Sequence, residues 1–403
     1  MLIARDLFTN KILKFVNNEQ IKIITGVRRC GKSYLLGIVA GKLKEIGIDE
    51  SHIIKIFMED YDFNALTDTN ICYKYIKDKM VDEGKYYILI DEVQNINKWE
   101  KIVNSLRLKN TDIYITGSNS KVLGGELATL LSGRYIEFKL YTASFSEIYD
   151  YFNRKDERTD VRDCLQDFIM FGGYPLVVTT GYSEDLTRPI VTDIYNSTVY
   201  KDVITRSGIK AETLLLRIID YVMDNVGNLF SIKKVSDYIN SQGYKTNPQT
   251  VSNYMNALEK AFVIEKAPRY DIKGKELLAS TEKYYVADHS LMYVRKGYSL
   301  EYIGQVIENI VFNEIRRRGY NAYVGKLGER EVDFIAENAG EKVYIQVAYS
   351  VASKETMSRE VNSLLEIRDA YPKYVVSMDA LSGGNKDGIR FIYLADFLLK
   401  KEW

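Results

Sequence analysis

The sequence predicts an α/β fold whose first part is a parallel β-sheet with helices on both faces. One observation is a β-branched run at 21–24 that leads through a glycine-rich stretch into a helical pattern. A second is an apolar run at 86–90 that ends in two acidic residues. Strands that alternate with helices in this way are typical of parallel sheets with right-handed crossovers. Further helical and α/β patterns follow, so we expect two or three domains in the 403 residues.

The glycine-rich stretch has the pattern of a phosphate-binding loop, or P-loop. It reads Gly26-Val27-Arg28-Arg29-Cys30-Gly31-Lys32-Ser33, followed by a helix from Tyr34. The glycines let the backbone N–H groups surround phosphate oxygens, and the positive end of the helix faces the same anion. Lys32 is predicted to reach the β- and γ-phosphates, and Ser33 to bind Mg²⁺. The alternative is a glycine turn that precedes Lys-Ser by chance.

The acidic pair Asp91-Glu92 favours the P-loop interpretation. It ends a run of five apolar or aromatic residues, which predicts a central parallel strand whose carboxyl end enters a nucleotide site. Asp91 is expected to hold the Mg²⁺ shell, and Glu92 to polarise the attacking water. The alternative is a buried strand that ends in two solvated acids.

The next strand, 111–116, is followed by polar residues that are predicted to lie beside Asp91. We favour Ser118, then Asn119, as the residue that senses the γ-phosphate, although either one taken singly fits an ordinary turn equally well. Arg134 follows Ser-Gly and is a candidate for stabilising transition-state charge, either in its own chain or in a neighbouring subunit. An ordinary surface arginine is an equal alternative.

Composition excludes several classes of protein. Hydrophobic residues make up 46% and charged residues 27%, with zero net charge, as in ordinary globular proteins. No apolar segment approaches membrane-spanning length and the start lacks a signal-peptide pattern, so we expect a cytoplasmic protein without membrane contact. Three unclustered cysteines and two histidines argue against a disulfide framework, a zinc site and histidine-based catalysis.

Residues 206–295 predict a winged-helix domain. Three helical patterns, beginning near 214, 231 and 248, are followed by strands at 262–266 and 282–286. The third helix is expected to point polar side chains outward, which suits a DNA groove. The segment has only three more basic than acidic residues, so contact with double-stranded DNA and a role in protein interaction both stay open. The outward residues are Gln249, Thr250, Asn253 and Asn256.

Residues 296–403 have an α-β-β-α-β order that resembles the PD-(D/E)XK nuclease fold, an α/β restriction-endonuclease-like domain. Glu308 on the helix and Asp333 on a strand stand where that fold gathers Mg²⁺. The E-x-K position, however, reads Gln346-Val347-Ala348, which replaces an acid by a weaker ligand and removes the lysine. We expect a nuclease-like domain that docks or binds. An active nuclease with an altered metal site is the less favoured alternative.

Six motifs in sequence resemble those of AAA-type ATPases of bacteria and archaea that carry an appended C-terminal domain of unknown function. The resemblance implies ATP rather than GTP, with Mg²⁺, and a helical lid over 144–205, so that 1–205 forms an AAA-type P-loop ATPase core with its lid. The motifs are the P-loop, Leu89–Gln94, Thr116-Gly117-Ser118, Ser132-Gly133-Arg134, Ser144–Glu147 and Phe171–Pro175.

These patterns together predict an ATP-binding, ATP-hydrolysing protein that couples its nucleotide state to a winged-helix and nuclease-like output module. The alternative is a slow ATP-dependent switch or a DNA-binding adaptor with little turnover, because the same residues serve both. AAA proteins often form rings, so a second copy of the chain and another protein are both open as partners.

Overall fold

The computed structural model describes residues 2–120, 131–157, 160–278, 281–297, 299–379 and 384–403. These residues form two compact units. The amino-terminal unit contains Ala4–Thr142 and Lys260–Phe262. The carboxy-terminal unit contains Met1–Ile3, Ala143–Glu259 and Val263–Trp403.

The amino-terminal unit is built on a five-stranded sheet in which every pairing is parallel. The strand order is β2-β3-β4-β1-β5. All six residues of β3 are buried, as expected where both faces of a sheet are covered. The predicted parallel sheet is confirmed, with β5 as an addition that the sequence pattern did not predict. The strands are β1 Ile21–Thr25, β2 Ile53–Phe57, β3 Tyr86–Asp91, β4 Thr111–Gly117 and β5 Tyr135–Lys139.

Among the residues that the structure describes, four α-helices lie around this sheet. Apolar residues on one face of the strands form a buried cluster with Ile76 of the third helix and Ile102 and Leu106 of the fourth. The helix after the P-loop packs against β3 and β4 and buries Leu36 and Val39. The helices are Asp6–Leu13, Lys32–Glu45, Thr69–Lys79 and Trp99–Arg107, with 3-10 turns at Glu50–His52, Tyr61–Thr67 and Val93–Asn95.

The carboxy-terminal unit begins with helices, as the apolar periodicity after residue 144 predicts. The first is fixed by a capping box, in which the Ser144 hydroxyl accepts from the Glu147 N–H and the Glu147 carboxylate accepts from the Ser144 N–H. The helices of this segment are Phe145–Lys155, Val161–Phe171, Pro175–Thr179 and Glu184–Ser197, with a π-helix at Thr198–Thr205.

Three more helices and a small antiparallel sheet follow. The helices are Glu212–Asp224, Ile232–Ser241 and Pro248–Lys260, each close to its predicted position. Gln249, Asn253 and Asn256 are exposed as expected, whereas Thr250 is half-buried. The sheet has the order β6-β10-β7. The strands of this region are β6 Leu229–Phe230, β7 Ile264–Ala267, β8 Arg269–Asp271, β9 Glu276–Leu277 and β10 Glu282–Val286.

The last part of the chain builds a mixed eight-stranded sheet with the order β15-β16-β14-β13-β12-β11-β8-β9. The predicted hairpin around Gly340 is confirmed, since Asn338 pairs with Glu341. The short β8-β9 hairpin comes from the segment predicted to form the winged helix, yet it pairs here through β8 and β11. The remaining strands are β11 Asn321–Leu327, β12 Arg330–Asn338, β13 Glu341–Ala348, β14 Lys373–Ser377, β15 Gly384–Lys386 and β16 Ile389–Tyr393.

A buried polar contact joins two helices of the carboxy-terminal unit. The Asp288 carboxylate accepts from the Gly173 N–H at 2.9 Å, and His289 Nε2 donates to the Phe168 carbonyl at 2.8 Å. Burial lowers the pKa of His289, so the ring is kept neutral. No helix within the described ranges is both long and apolar enough to span a membrane. The remaining helices are Ser290–Lys296, Ile303–Arg318, Lys354–Leu365 and Leu394–Leu399, with a 3-10 turn at Leu300–Tyr302.

Candidate functional site

The P-loop follows β1 directly, and its first glycine is required by close backbone contact. Gly26 has a φ of +146°, and a β-carbon there would lie 2.2 Å from the carbonyl oxygen of Leu140. Gly31 adopts a left-handed conformation, with φ of 101°, at the start of the helix Lys32–Glu45. Any side chain at position 26 would therefore displace the loop from the segment that follows β5.

Lys32 turns its buried side chain back across the loop. Its Nζ donates to the carbonyl oxygens of Gly26 at 3.1 Å and Val27 at 3.2 Å. The same atom lies 3.8 Å from Glu92 Oε1, so the ammonium is held at the edge of the sheet where β1 and β3 end. This is the position from which a lysine can meet an anion bound by the loop.

Ser33 and Asp91 are brought together as the two motifs predict. The Ser33 side chain lies near Asp91, which is only 2% exposed, and favours its charged form. Burial raises the pKa of Asp91 above its ordinary value, and the hydrogen bond from Thr116 and the nearby Ser33 hydroxyl oppose that rise. A hydroxyl and a carboxylate side by side are hard oxygen ligands of the kind that Mg²⁺ prefers, with water and phosphate completing its shell.

Glu92 is held by three neighbouring groups. Its backbone is left-handed, with φ of 48°, and its N–H donates to the Thr116 hydroxyl at 2.9 Å. Its Oε2 accepts from the Ser118 hydroxyl at 3.0 Å and also from the Gln94 amide. The carboxylate therefore has a defined position with Ser118 at its side, where the sequence predicts the γ-phosphate sensor.

Thr116 is a further candidate functional residue, to which the sequence motifs assign no role. Its hydroxyl donates to Asp91 Oδ1 at 2.6 Å while it accepts from the Glu92 N–H. A single buried hydroxyl thus links both acidic residues. The available signal was its position at the end of the strand 111–116, because the polar residues that follow this strand are predicted to lie beside Asp91.

The other predicted residues of the loop surround this centre. Val27 and Cys30 are buried, and burial raises the pKa of the Cys30 thiol. Arg29 is exposed with a positive φ of 65°, and Arg28 Nη1 lies 3.8 Å from a carboxylate oxygen of Glu59. The remaining two predicted residues are the half-buried Tyr34 at the start of the helix and the buried Asn119 after β4.

Arg134 lies where β1 begins, at the opposite end of the strands from the P-loop. Its carbonyl oxygen accepts from the N–H of Ile21, the first residue of β1, whereas the P-loop follows the last residue, Thr25. The five residues of β1 separate the two ends by roughly 13 Å. The exposed guanidinium is 3.4 Å from the Asn104 side-chain oxygen. Arg134 is therefore placed away from the P-loop of its own chain.

The three predicted residues of the nuclease-like site do come together in the carboxy-terminal unit. Gln346 Oε1 accepts from the Asp333 N–H at 3.0 Å. Glu308 and Asp333 both face Lys283, at 3.1 and 4.0 Å from its Nζ. Burial raises the pKa of Asp333 well above its ordinary value, and the nearby charge of Glu308 adds to the rise. Ala348 is buried in the apolar cluster of this sheet.

This cluster borders a cavity of about 570 Å³ whose lining includes Glu331, Asp333, Gln346 and Glu360. Among the described residues, no group of three or more His, Cys, Asp or Glu side chains is arranged to hold a metal ion. The nuclease-like residues thus meet, but without the geometry of a metal centre.

Three family models match successive parts of the chain. A model described as an AAA domain matches residues 18–149, which contain the P-loop, Asp91 and Glu92. Two domains of unknown function follow, DUF8612 at residues 162–300 and DUF4143 at residues 303–397. The order of an ATPase domain followed by uncharacterised domains is the one that the motifs predict.

Two relatives match most or all of the chain. The chain is 38% identical over 401 residues to an uncharacterized protein of Haemophilus influenzae, covering 99% of each. It is 30% identical over 386 residues to an uncharacterized protein of Methanocaldococcus jannaschii, covering 90% of this chain and 80% of that one.

Among solved structures, the fold is similar to that of a Walker-type ATPase of Pyrococcus abyssi. The TM-score is 0.54 at 15% identity, over 73% of this chain and 96% of that one, so the likeness is one of fold. Together with the family models, it confirms the resemblance first indicated by the motifs. The chain belongs to the family of AAA-type P-loop ATPases in which the ATPase domain is followed by the domains of unknown function DUF8612 and DUF4143.

Proposed function

We propose that the amino-terminal unit binds ATP with Mg²⁺ and hydrolyses it. The observation that carries this proposal is that the P-loop meets the end of β3: Lys32 lies 3.8 Å from Glu92, and the Ser33 hydroxyl lies near Asp91. Phosphoryl transfer needs positioning and charge stabilisation more than covalent chemistry. These four side chains supply a cation that can bind the phosphates, two metal ligands and a base, all near the carboxyl ends of β1 and β3.

Each group has a separate role in this proposal. The N–H groups of residues 26–34 surround the phosphates, and Lys32 leaves the carbonyls of its own loop to contact the β- and γ-phosphates. Ser33 and Asp91 hold the Mg²⁺, directly or through water. Bound Mg²⁺ would neutralise charge that develops between the β- and γ-phosphates.

Glu92 orients the attacking water, and its restraint by Ser118 links hydrolysis to nucleotide occupancy. A Glu92 carboxylate that accepts from Ser118 and Gln94 is held by these hydrogen bonds and is not free to orient a water. When the γ-phosphate attracts the Ser118 hydroxyl, the carboxylate is released for the water. Asn119, buried beside Ser118, is the second candidate sensor. The same restraint also suits the alternative of a slow ATP-dependent switch, in which the Glu92 carboxylate rarely leaves Ser118 and ATP is rarely hydrolysed.

Arg134 acts in trans in this proposal. An exposed guanidinium at the sheet edge opposite the P-loop can enter the site of a second copy and stabilise transition-state charge there. The proposal therefore includes a homo-oligomer, as the family analogy also implies.

The carboxy-terminal unit supplies the helical lid of the ATPase core and the output module of this proposal. Its helices at 145–205 serve as the lid. The helices between 212 and 260, with the β7-β10 pair, serve as a winged helix that contacts a protein partner or double-stranded DNA. The mixed sheet, which carries Asp333, and the helix Ile303–Arg318, which carries Glu308, form a nuclease-like fold that is kept for docking. The exposed Gln249, Asn253 and Asn256 support the DNA alternative, since amides can read base edges.

The test compares Lys32→Ala with a matched control on the same helix, Lys42→Ala, whose side chain is exposed and pairs only with Glu45 in the described contacts. We expect ATP binding and phosphate release to fall by about 100-fold or more in Lys32→Ala, as for other lost charge-stabilising groups. The control should match the wild-type protein. If Lys32→Ala binds and hydrolyses ATP as the control does, the proposal is wrong. Measuring the rates and the native mass with and without duplex DNA separates an ATPase coupled to DNA from one coupled to a protein.

A further inference from the structure

A buried lysine lies among three carboxylates in the carboxy-terminal unit. Lys283, on β10, is 4% exposed. Its Nζ lies 2.8 Å from Glu331 Oε1, 3.1 Å from Glu308 Oε1 and 4.0 Å from Asp333 Oδ1. Burial lowers the pKa of Lys283, but the three carboxylates more than offset this and raise it above its ordinary value. The ammonium therefore stays charged at the centre of the cluster.

The carboxylate of Glu308 is fixed towards this ammonium. Tyr285 donates to the same oxygen, Glu308 Oε1, at 2.6 Å. The Tyr285 ring is fully buried and stacks on Phe312 at 4.2 Å between centroids. Gly227 leaves room for the other oxygen of Glu308, because a β-carbon there would lie 3.1 Å from Oε2. The acid is therefore packed in place.

Gln346 has no free end for a metal. Its carbonyl oxygen accepts from the Asp333 N–H at 3.0 Å, and its amide nitrogen donates to Glu360 Oε2 at 2.7 Å. Asp333 Oδ2 in turn accepts from the Val347 N–H at 2.8 Å. A divalent metal such as Mg²⁺ needs several oxygens at about 2.0–2.1 Å, so the residues present do not fit the cation of a nuclease-like site.

We infer that the Lys283 ammonium occupies the cation position of this site and excludes a divalent metal from it. A lysine from a strand outside the α-β-β-α-β pattern thus supplies, as a fixed single charge, part of the neutralisation that a metal would give to Glu308, Glu331 and Asp333. The site therefore lacks the lysine of the E-x-K pattern at Ala348 and contains another lysine, Lys283, that blocks metal-dependent chemistry. The site therefore has a structural role, in which Lys283 is the fixed counter-ion of the three carboxylates.

The proposal predicts a gain of metal binding. Lys283→Met nearly keeps the length of the side chain and removes its charge, which leaves three carboxylates, two of which, Glu331 and Asp333, line a cavity of about 570 Å³. Uncompensated buried carboxylates are costly unless they are paired or coordinate a metal. The Lys283→Met protein should therefore bind one additional Mn²⁺ per chain, and its melting temperature should rise when Mn²⁺ is added.

The experiment measures Mn²⁺ binding by electron paramagnetic resonance and the melting temperature, on the full chain without nucleotide. We expect no Asp333-dependent ion in the wild-type protein, one in Lys283→Met, and its loss in Lys283→Met/Asp333→Asn. Lys266→Met, on the paired strand β7, is the matched control and should gain none. If the folded Lys283→Met protein binds no additional Mn²⁺, the inference is wrong.

The wild-type arm keeps the inference testable if the variant does not fold. A Mn²⁺ ion that binds wild-type protein and is lost in Asp333→Asn would overturn it, because the ammonium would then share the site with a metal. Equal binding to wild-type and Asp333→Asn protein supports it. Lys283→Gln, a polar variant of lower packing cost, repeats the gain-of-metal test.

Discussion

Thr116→Val should damage both the stability and the ATPase activity of the amino-terminal unit. Valine has nearly the shape of threonine but lacks the hydroxyl that donates to Asp91 at 2.6 Å and accepts from the Glu92 N–H at 2.9 Å. Thr116 is completely buried, so no water replaces the lost group. The change thus removes two contacts between β4 and the acidic end of β3 with almost no change in packing.

The magnitude follows from the two contacts. A hydrogen bond to a charged group contributes about 1.5–3 kcal/mol, and an orphaned buried N–H costs about 1–3 kcal/mol. Because the Ser33 side chain near Asp91 still favours its charged form, we expect the free energy of unfolding of this unit to fall by about 2–4 kcal/mol. A Glu92 that has lost its backbone anchor should lower kcat by roughly 10- to 100-fold, as misplaced catalytic groups do.

The assay combines calorimetric melting with steady-state phosphate release. Thr116→Ser keeps the hydroxyl and serves as the control, with a loss of about 1 kcal/mol for the missing methyl group and a nearly unchanged kcat. If Thr116→Val melts and turns over like Thr116→Ser, the hydroxyl does not organise Asp91 and Glu92, and the description of the site is wrong.

Three further predictions concern other buried groups. Lys22→Met or Asp112→Leu alone should lower the free energy of unfolding by roughly 3–5 kcal/mol, because each leaves a fully buried charge whose partner was 2.5 Å away. The double variant should lose less free energy of unfolding, measured by calorimetry, than the sum of the two single losses. Strictly additive losses would contradict the prediction. Gly26→Ala should abolish binding of a fluorescent ATP analogue, because its β-carbon meets a backbone carbonyl at 2.2 Å, whereas Gly41→Ala, which meets nothing within 4 Å, should bind normally. Because burial holds the pKa of His289 below its ordinary value of about 6.5, the unfolded chain takes up this proton first as pH falls. Stability should therefore decrease below about pH 6.5, and the decrease in melting temperature should be smaller in His289→Gln; equal slopes would refute this.

The proposed nucleotide site could be located from the sequence because its residues lie in short local motifs. Gly26, Lys32 and Ser33 must stand at fixed spacing for one loop to enclose a phosphate, and Asp91-Glu92 end an apolar run that reads as a buried strand. Strand identity and the parallel sheet followed from the same patterns. Thr116 was missed because its partners lie on a neighbouring strand, and a threonine at a strand end is common.

Lys283 and the β8-β9 hairpin depend on tertiary contacts that no local pattern encodes. Lys283 lies 25 residues from Glu308 in sequence and contacts it only because β10 packs beside the helix Ile303–Arg318. The hairpin is short and polar, so nothing in its sequence indicates which sheet it joins. The position of Arg134 likewise required the register of β5 with β1.

The central claim is tested most directly by single-turnover hydrolysis of prebound ATP in wild-type and Glu92→Gln protein. Both should bind ATP with Mg²⁺, but only the wild type should release phosphate, with the rate in Glu92→Gln lower by about 100-fold or more. Glu45→Gln, at the exposed end of the P-loop helix, should match the wild type. Equal phosphate release by wild-type and Glu92→Gln protein would contradict the role of Glu92, and ATP that stays intact on the wild type would contradict the proposal that this chain hydrolyses ATP.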